Sequence, residues 1–257
     1  MTAAFVAAPS ADHAWGNYHW ARGSNPLALD VGDNVSSIWD GHLDAAIADW
    51  NQSTVLSLTK VAGGTKPRNC RPTSGRIEVC SERYGNTGWL GIAQIWVSGD
   101  HITQGITKVN DFYFNNPPYN TNDWRQLVMC QEIAHDVGLD HQDEDFDNVN
   151  LGTCMDYTSD PDGPPDNTRP DEHDYDQLEE IYSHLDGGGG GGGGGRGNSG
   201  RAGVPPAGQI DLGSPNQWGQ LRRSLGNGRV QVFELNLGAG RRVFTRVLWA
   251  DPDRDAR

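Results

Sequence analysis

The chain has 257 residues, enough for one sizeable domain and part of another, with 35% hydrophobic and 21% charged residues. Its net charge of −14 at pH 7 is unevenly spread: residues 187–257 hold ten Arg, no Lys and five acidic residues, so the preceding 186 residues carry −19. An acidic body argues against nucleic acid as the main partner, and there is no run of about 18 apolar residues to span a membrane.

The first 16 residues, "MTAAFVAAPSADHAWG", read as an N-terminal extension. They lack the basic start of a complete signal peptide, although "AAPSA" resembles a cleavage region. In "DGHLDAAIADW", Leu43, Ile47 and Trp50 recur at helical spacing and predict an amphipathic helix. "TVLSLTKV" and "RIEVC" read as strands, and "WLGIAQIWV" as a buried strand. "HITQGITKVNDFYF" reads as a more polar strand at a sheet edge. A helix is expected from Trp124 with Asp123 as its cap, stopped by Gly138. "DEHDYDQLEEIYSHL" places Tyr175, Leu178, Ile181, Tyr182 and Leu185 at helical spacing. Nine consecutive glycines, Gly187–Gly195, then form a flexible linker that divides the chain. Beyond it, strands are expected around turns at "GNG" and "GAG", as an incomplete β domain or accessory hairpin with no nameable chemistry. The expected organisation is an extension at 1–16, a main domain at 17–186, a linker at 187–204 and a small β-rich region at 205–257.

The four cysteines, Cys70, Cys80, Cys130 and Cys154, have no CxxC spacing and allow three pairings. The short returning loop "CRPTSGRIEVC" favours Cys70–Cys80, which leaves Cys130–Cys154 to tie the helix near Trp124 to "GTCMDY". Two disulfides point to an oxidising, extracellular compartment.

The stretch "CQEIAHDVGLDH", Cys130–His141, carries the chemistry. Residues four apart on a helix share a face, so Gln131 and His135 can meet one ion while Glu132 stands beside it. A left-handed Gly138 turns the chain so that His141 can return to the same ion. A catalytic zinc takes three protein ligands and leaves one position open. "QEIAHDVGLDH", with the Met of "CMDY" 14 residues after its last His, resembles the metzincin zinc metalloproteases. "GLDH" is similar to their matrixin branch, and "MDY" is similar to serralysins and astacins.

Over residues 17–186 the resemblance implies an α+β fold. It would comprise a twisted mixed sheet of about five strands, a zinc helix, a methionine turn and a closing helix. It implies a zinc-dependent endopeptidase with His135, His141 and Gln131 at the metal and Glu132 as general base. Met155 would lie beneath the metal, and Tyr157 would touch the metal or the reaction intermediate. The family has His where this chain has Gln131, and a neutral amide oxygen suits zinc less well than imidazole. Three arrangements stay open: Gln131 as a weak third ligand; completion of the site by His101, Asp140 or water; and loss of zinc. The expected partner is a protein or peptide substrate of a secreted monomer. One rival is an inactive metzincin-fold module that binds protein. Another is a noncatalytic surface module stabilised by calcium. Calcium ligands would come from Asp143, Asp145 and Asp147 in "DHQDEDFDN", which is not an EF-hand loop, or from the Pro- and Asp-rich loop "SDPDGPPDNTRPDEHD". No segment resembles the cysteine-bearing propeptide that keeps matrixins latent, so a source of latency is expected outside this sequence.

Overall fold

A computed structural model describes residues 13–187 and 212–251. The expected glycine linker lies almost wholly outside the described residues. One nine-stranded mixed sheet dominates. Its strands are β1 (His19–Trp20), β2 (Leu27–Asn34), β3 (Leu56–Ala62), β4 (Arg76–Glu82), β5 (Trp89–Ser98), β6 (His101–Asn110), β7 (Gln220–Leu225), β8 (Val230–Gly238) and β9 (Arg241–Trp249). The order is β3-β2-β4-β6-β5-β9-β8-β7, with β1 paired to β6. The helices among the described residues are α1 (Asp40–Trp50), α2 (Asp111–Phe114), α3 (Asn122–Asp136) and α4 (Glu172–Ile181).

This corrects the expected α+β, metzincin-like architecture on about five strands: the described chain is mostly β, on nine strands. The physical reason lies at β5. Its outer edge offers a row of backbone donors and acceptors, and such an edge is a template for another strand. The C-terminal β9 takes it, antiparallel, from Trp89↔Trp249 to Ser98↔Arg241. β8 and β7 then continue the sheet, so the strands after the linker extend it instead of standing apart. The turns at "GNG" and "GAG" fall where expected. Gly226, Gly228, Gly238 and Gly240 there all have positive φ.

"HITQGITKVN" is a second correction, because β6 lies inside the sheet between β4 and β5. Its polar residues find partners there: the Thr107 hydroxyl donates to Asp136 Oδ2 at 2.9 Å. β2 was not anticipated. It pairs in parallel with both β3 and β4, and Leu27, Leu29 and Val31 alternate into the core between exposed Ala28 and Asp30.

α3 carries the motif. It starts earlier than expected, at Thr121, whose Oγ1 accepts from the Trp124 amide at 3.2 Å. It ends at Asp136, and Gly138 at φ +101° turns the chain away. A Cβ at residue 138 would also run into the Tyr18 carbonyl oxygen, so both backbone conformation and close approach require glycine. α3 packs on α1, β5 and β6, and nearly every side chain from Trp124 to Asp136 is buried. The Trp50 indole on α1 donates to the Cys130 carbonyl at 3.1 Å. Both expected disulfides, Cys70–Cys80 and Cys130–Cys154, are present. The second fastens α3 to the 151–157 loop. No helix of the described residues is long and apolar enough to cross a membrane.

Candidate active site around His135 and His141

Gln131, Glu132, His135, His141 and Tyr157 are all buried, and the structure gathers His135, His141 and Tyr157 at the C-terminal end of α3. The His135 and His141 rings stand 4.5 Å apart and nearly perpendicular. Tyr157 lies 3.8 Å from the His141 ring and stacks on Phe146 at 4.8 Å. Glu132 faces β5 where Gly91 leaves room for it, since a Cβ at residue 91 would collide with the Glu132 carboxylate and with Val128.

Hydrogen bonds orient this set. The His135 Nδ1–H donates to the Leu139 carbonyl at 2.8 Å, which leaves the Nε2 lone pair free. The Gln131 amide donates through Nε2 to the Cys154 carbonyl at 3.0 Å, which leaves Oε1 free. His135 Nε2, His141 Nε2, Gln131 Oε1 and Glu132 Oε2 are all buried without a partner. Unpaired buried polar atoms are costly, and a group of them is a reason to look for a ligand. Two imidazoles and an amide oxygen fit a zinc-type cation better than a hard alkaline-earth ion.

The largest surprise comes from β9. Arg246, opposite Ala93 of β5, is 2% exposed. Its guanidinium donates to His141 Nδ1 at 2.6 Å, to the Tyr157 hydroxyl at 3.3 Å and to the Asp140 carboxylate. Its charge also lies 5.4 Å from the Trp15 ring. Asp140 is shared with Arg223 of β7 at 3.0 Å. Arg246 thus packs against His141, Tyr157 and Asp140. The bond has a chemical consequence. A neutral His141 that accepts at Nδ1 carries its proton on Nε2, so that nitrogen is not a metal ligand while Arg246 stays in place.

Burial sets the charge states. It drives His135 down to about 3, helped by the Arg246 cation. Burial, His135 and Arg246 together push His141 well below the usual range. Burial and then Asp136 push Glu132 well above the usual carboxylate range, against the opposing Arg246 charge. Asp140 moves the other way: burial raises it, but Arg246 and other donors outweigh that and hold it ionised.

No protein-family model matches the chain, and no curated protein does either. The reading of the site therefore rests on its own geometry.

Two residues weighed as substitute ligands are now placed. Asp140 adjoins His141, with Oδ1 3.7 Å from Nδ1. His101 instead joins His19 and Asp186, away from the motif set. Met155 is fully buried. In the acidic loop, Asp143 and Asp145 accept from the Asp145 and Asp147 amides at 2.6 and 3.0 Å, as turn-forming residues do. Arg246 was missed by sequence reasoning. Its one signal was an arginine inside the apolar strand "RVFTRVLW", which demands a buried partner.

Proposed function

We propose that this chain is a zinc-dependent peptide hydrolase, secreted and held latent by its own C-terminal strand. The observation that carries the reading is the buried pair of His135 and His141 rings 4.5 Å apart, each with an unpartnered Nε2, on a helix whose Gln131 Oε1 and Glu132 Oε2 are also buried without a partner. His135 and Gln131 would hold the metal directly. His141 would join them once Arg246 leaves and its Nδ1 proton turns to Asp140, an imidazole–carboxylate pairing common beside metals. When bound, zinc supplies Lewis acidity to a scissile carbonyl. The chain's residues do the rest. Glu132 takes a proton from the attacking water and returns it to the departing amine. The Tyr157 hydroxyl donates toward the carbonyl oxygen as it gains charge. The β5 edge would pair with an extended peptide, as such edges commonly do, and β9 occupies that edge in the latent state. Two disulfides are compatible with an extracellular setting.

The test is casein cleavage by the Arg246→Ala protein with zinc, then with chelator, then with zinc restored. Cleavage that follows zinc supports the reading. No cleavage under any condition, with the protein folded, favours the noncatalytic protein-binding module, which the Arg246–His141 contact also fits.

Residue 131 gives a separate readout. Gln131→His should raise zinc affinity, because imidazole is the better zinc ligand, and Gln131→Ala should lower it by about 10-fold or more. Competition with a coloured chelator measures both. Equal affinity in all three forms would mean that residue 131 does not touch the metal.

A further inference from the structure

Three histidines and a carboxylate, none of them part of the Gln131–His141 motif, converge where β1, the start of β6 and the segment after α4 meet. His19 lies on β1, His101 opens β6 just after the β5–β6 turn, and His184 and Asp186 follow α4. Asp186 Oδ1 lies 3.0 Å from His101 Nε2, 3.5 Å from His19 Nε2 and 3.6 Å from His184 Nε2. The Nε2 atoms of His19 and His184 are 3.3 Å apart. His19, His101 and Asp186 form the one group of three such ligand residues within 4.8 Å of one another among the described residues. Donors around a tetrahedral zinc with bonds of about 2.0–2.1 Å are roughly 3.3 Å apart, which matches these separations.

Hydrogen bonding alone accounts poorly for the cluster. His19 Nδ1 lies 2.8 Å from the Asn17 carbonyl oxygen, so Nδ1 carries the proton and a neutral ring presents a lone pair at Nε2. That lone pair points at a carboxylate oxygen, which is also an acceptor. The contact is satisfied by a cation between the two atoms or by a second proton on the ring, and a metal ion would serve all three histidines at once. The carboxylate itself is anchored. Its Oδ2 accepts from the Arg22 amide at 2.8 Å, and the Asp186 amide donates to the Arg22 carbonyl at 2.9 Å. A carbonyl on the outer imidazole nitrogen and a fixed carboxylate are the usual surroundings of metal ligands.

We propose that His19, His101, Asp186 and His184 form a second metal site, for a zinc-class ion, separate from Gln131, His135 and His141. Four protein ligands make it a closed, structural site. It fastens the segment after α4, where the linker begins, to β1 and to the β5–β6 turn. His184 is more than half exposed, so its ring is free to close the set. Three imidazoles and one carboxylate select zinc, copper, nickel or cobalt over calcium or magnesium.

Zinc competition against a coloured chelator tests this in three proteins: the parent, a His101→Ala/His184→Ala double variant, and His135→Ala. His184 is exposed and His101 partly exposed, and circular dichroism checks that the double variant folds as the parent does. The double variant is expected to lose one zinc per chain, with the affinity of that site down by at least about 100-fold, beyond the loss typical of an outer partner. His135→Ala should keep this zinc, and zinc should still raise its melting temperature by mass action. Asp186→Asn should behave as the double variant does. Equal zinc uptake and affinity in the parent and the double variant would overturn the site. If the double variant loses its zinc while His135→Ala keeps it, the surface site stands; with Arg246 against His141 in all three proteins, the motif site is judged instead from the Arg246→Ala proteins.

Discussion

Glu132→Ala is expected to lower peptide hydrolysis by about 10²–10⁴-fold, the usual effect of removing a general base, while zinc affinity stays within a few-fold. The comparison belongs in an Arg246→Ala background, where the site is open. Glu132 stands beside the Gln131–His135 face of α3, and its carboxylate is accommodated only because β5 carries glycine at position 91. Truncation to Ala removes an unpaired buried acid and leaves the ligand set in place. A folded variant that cleaves casein as fast as its parent would take the base role from Glu132. One that loses zinc along with activity would make it a ligand instead.

Arg246→Ala is expected to convert a silent protein into an active one and to raise its zinc affinity by at least about 100-fold. Two causes act in the same direction. The guanidinium holds the His141 proton on Nε2, the wrong tautomer for a metal ligand. It also places a positive charge beside the cation. A +1 and a +2 charge about 5 Å apart repel by several kcal/mol at an effective dielectric of about 20, and about 1.4 kcal/mol is tenfold in affinity. Removing one partner of a buried ion pair is itself destabilising, so Arg246→Gln, which keeps length and loses charge, is the companion variant. If both variants fold and neither binds zinc more tightly than the parent, Arg246 is a structural partner of Asp140 and β9 is not a gate.

Much of the frame was legible in the sequence because the signals are local. The Leu43, Ile47, Trp50 spacing gave α1 with its observed bounds. Gly138 stopped α3 as expected, and the two disulfides followed from loop length and from the placement of the motif. Local signals also misled. "HITQGITKVN" is polar enough to read as an edge, yet β6 is interior, and its Thr107 finds Asp136 at the end of α3, which packs on the sheet. "LALDVGDN" hid β2 behind its acidic outward residues. Asp123 looked like a cap, but Thr121 is the residue with the required extended backbone. What no local signal could supply was long-range pairing. Arg246 meets His141 across 105 positions, and His19 meets Asp186 across 167. The expected source of latency was sought outside the chain, while the geometry offers a candidate within it. The fold expectation failed for the same reason: nothing in "RRVFTRVLW" says which edge it will join.

The most direct measurement is X-ray absorption at the zinc edge of the Arg246→Ala protein, with His101→Ala and His184→Ala added so that only the motif site reports. The expected result is one zinc per chain with two imidazole nitrogens at about 2.0–2.1 Å and oxygen ligands completing the shell. Loss of one imidazole is expected on adding His135→Ala. A protein that folds but holds no zinc, or a zinc shell unchanged by His135→Ala, would contradict the assignment of Gln131, His135 and His141 as a metal centre.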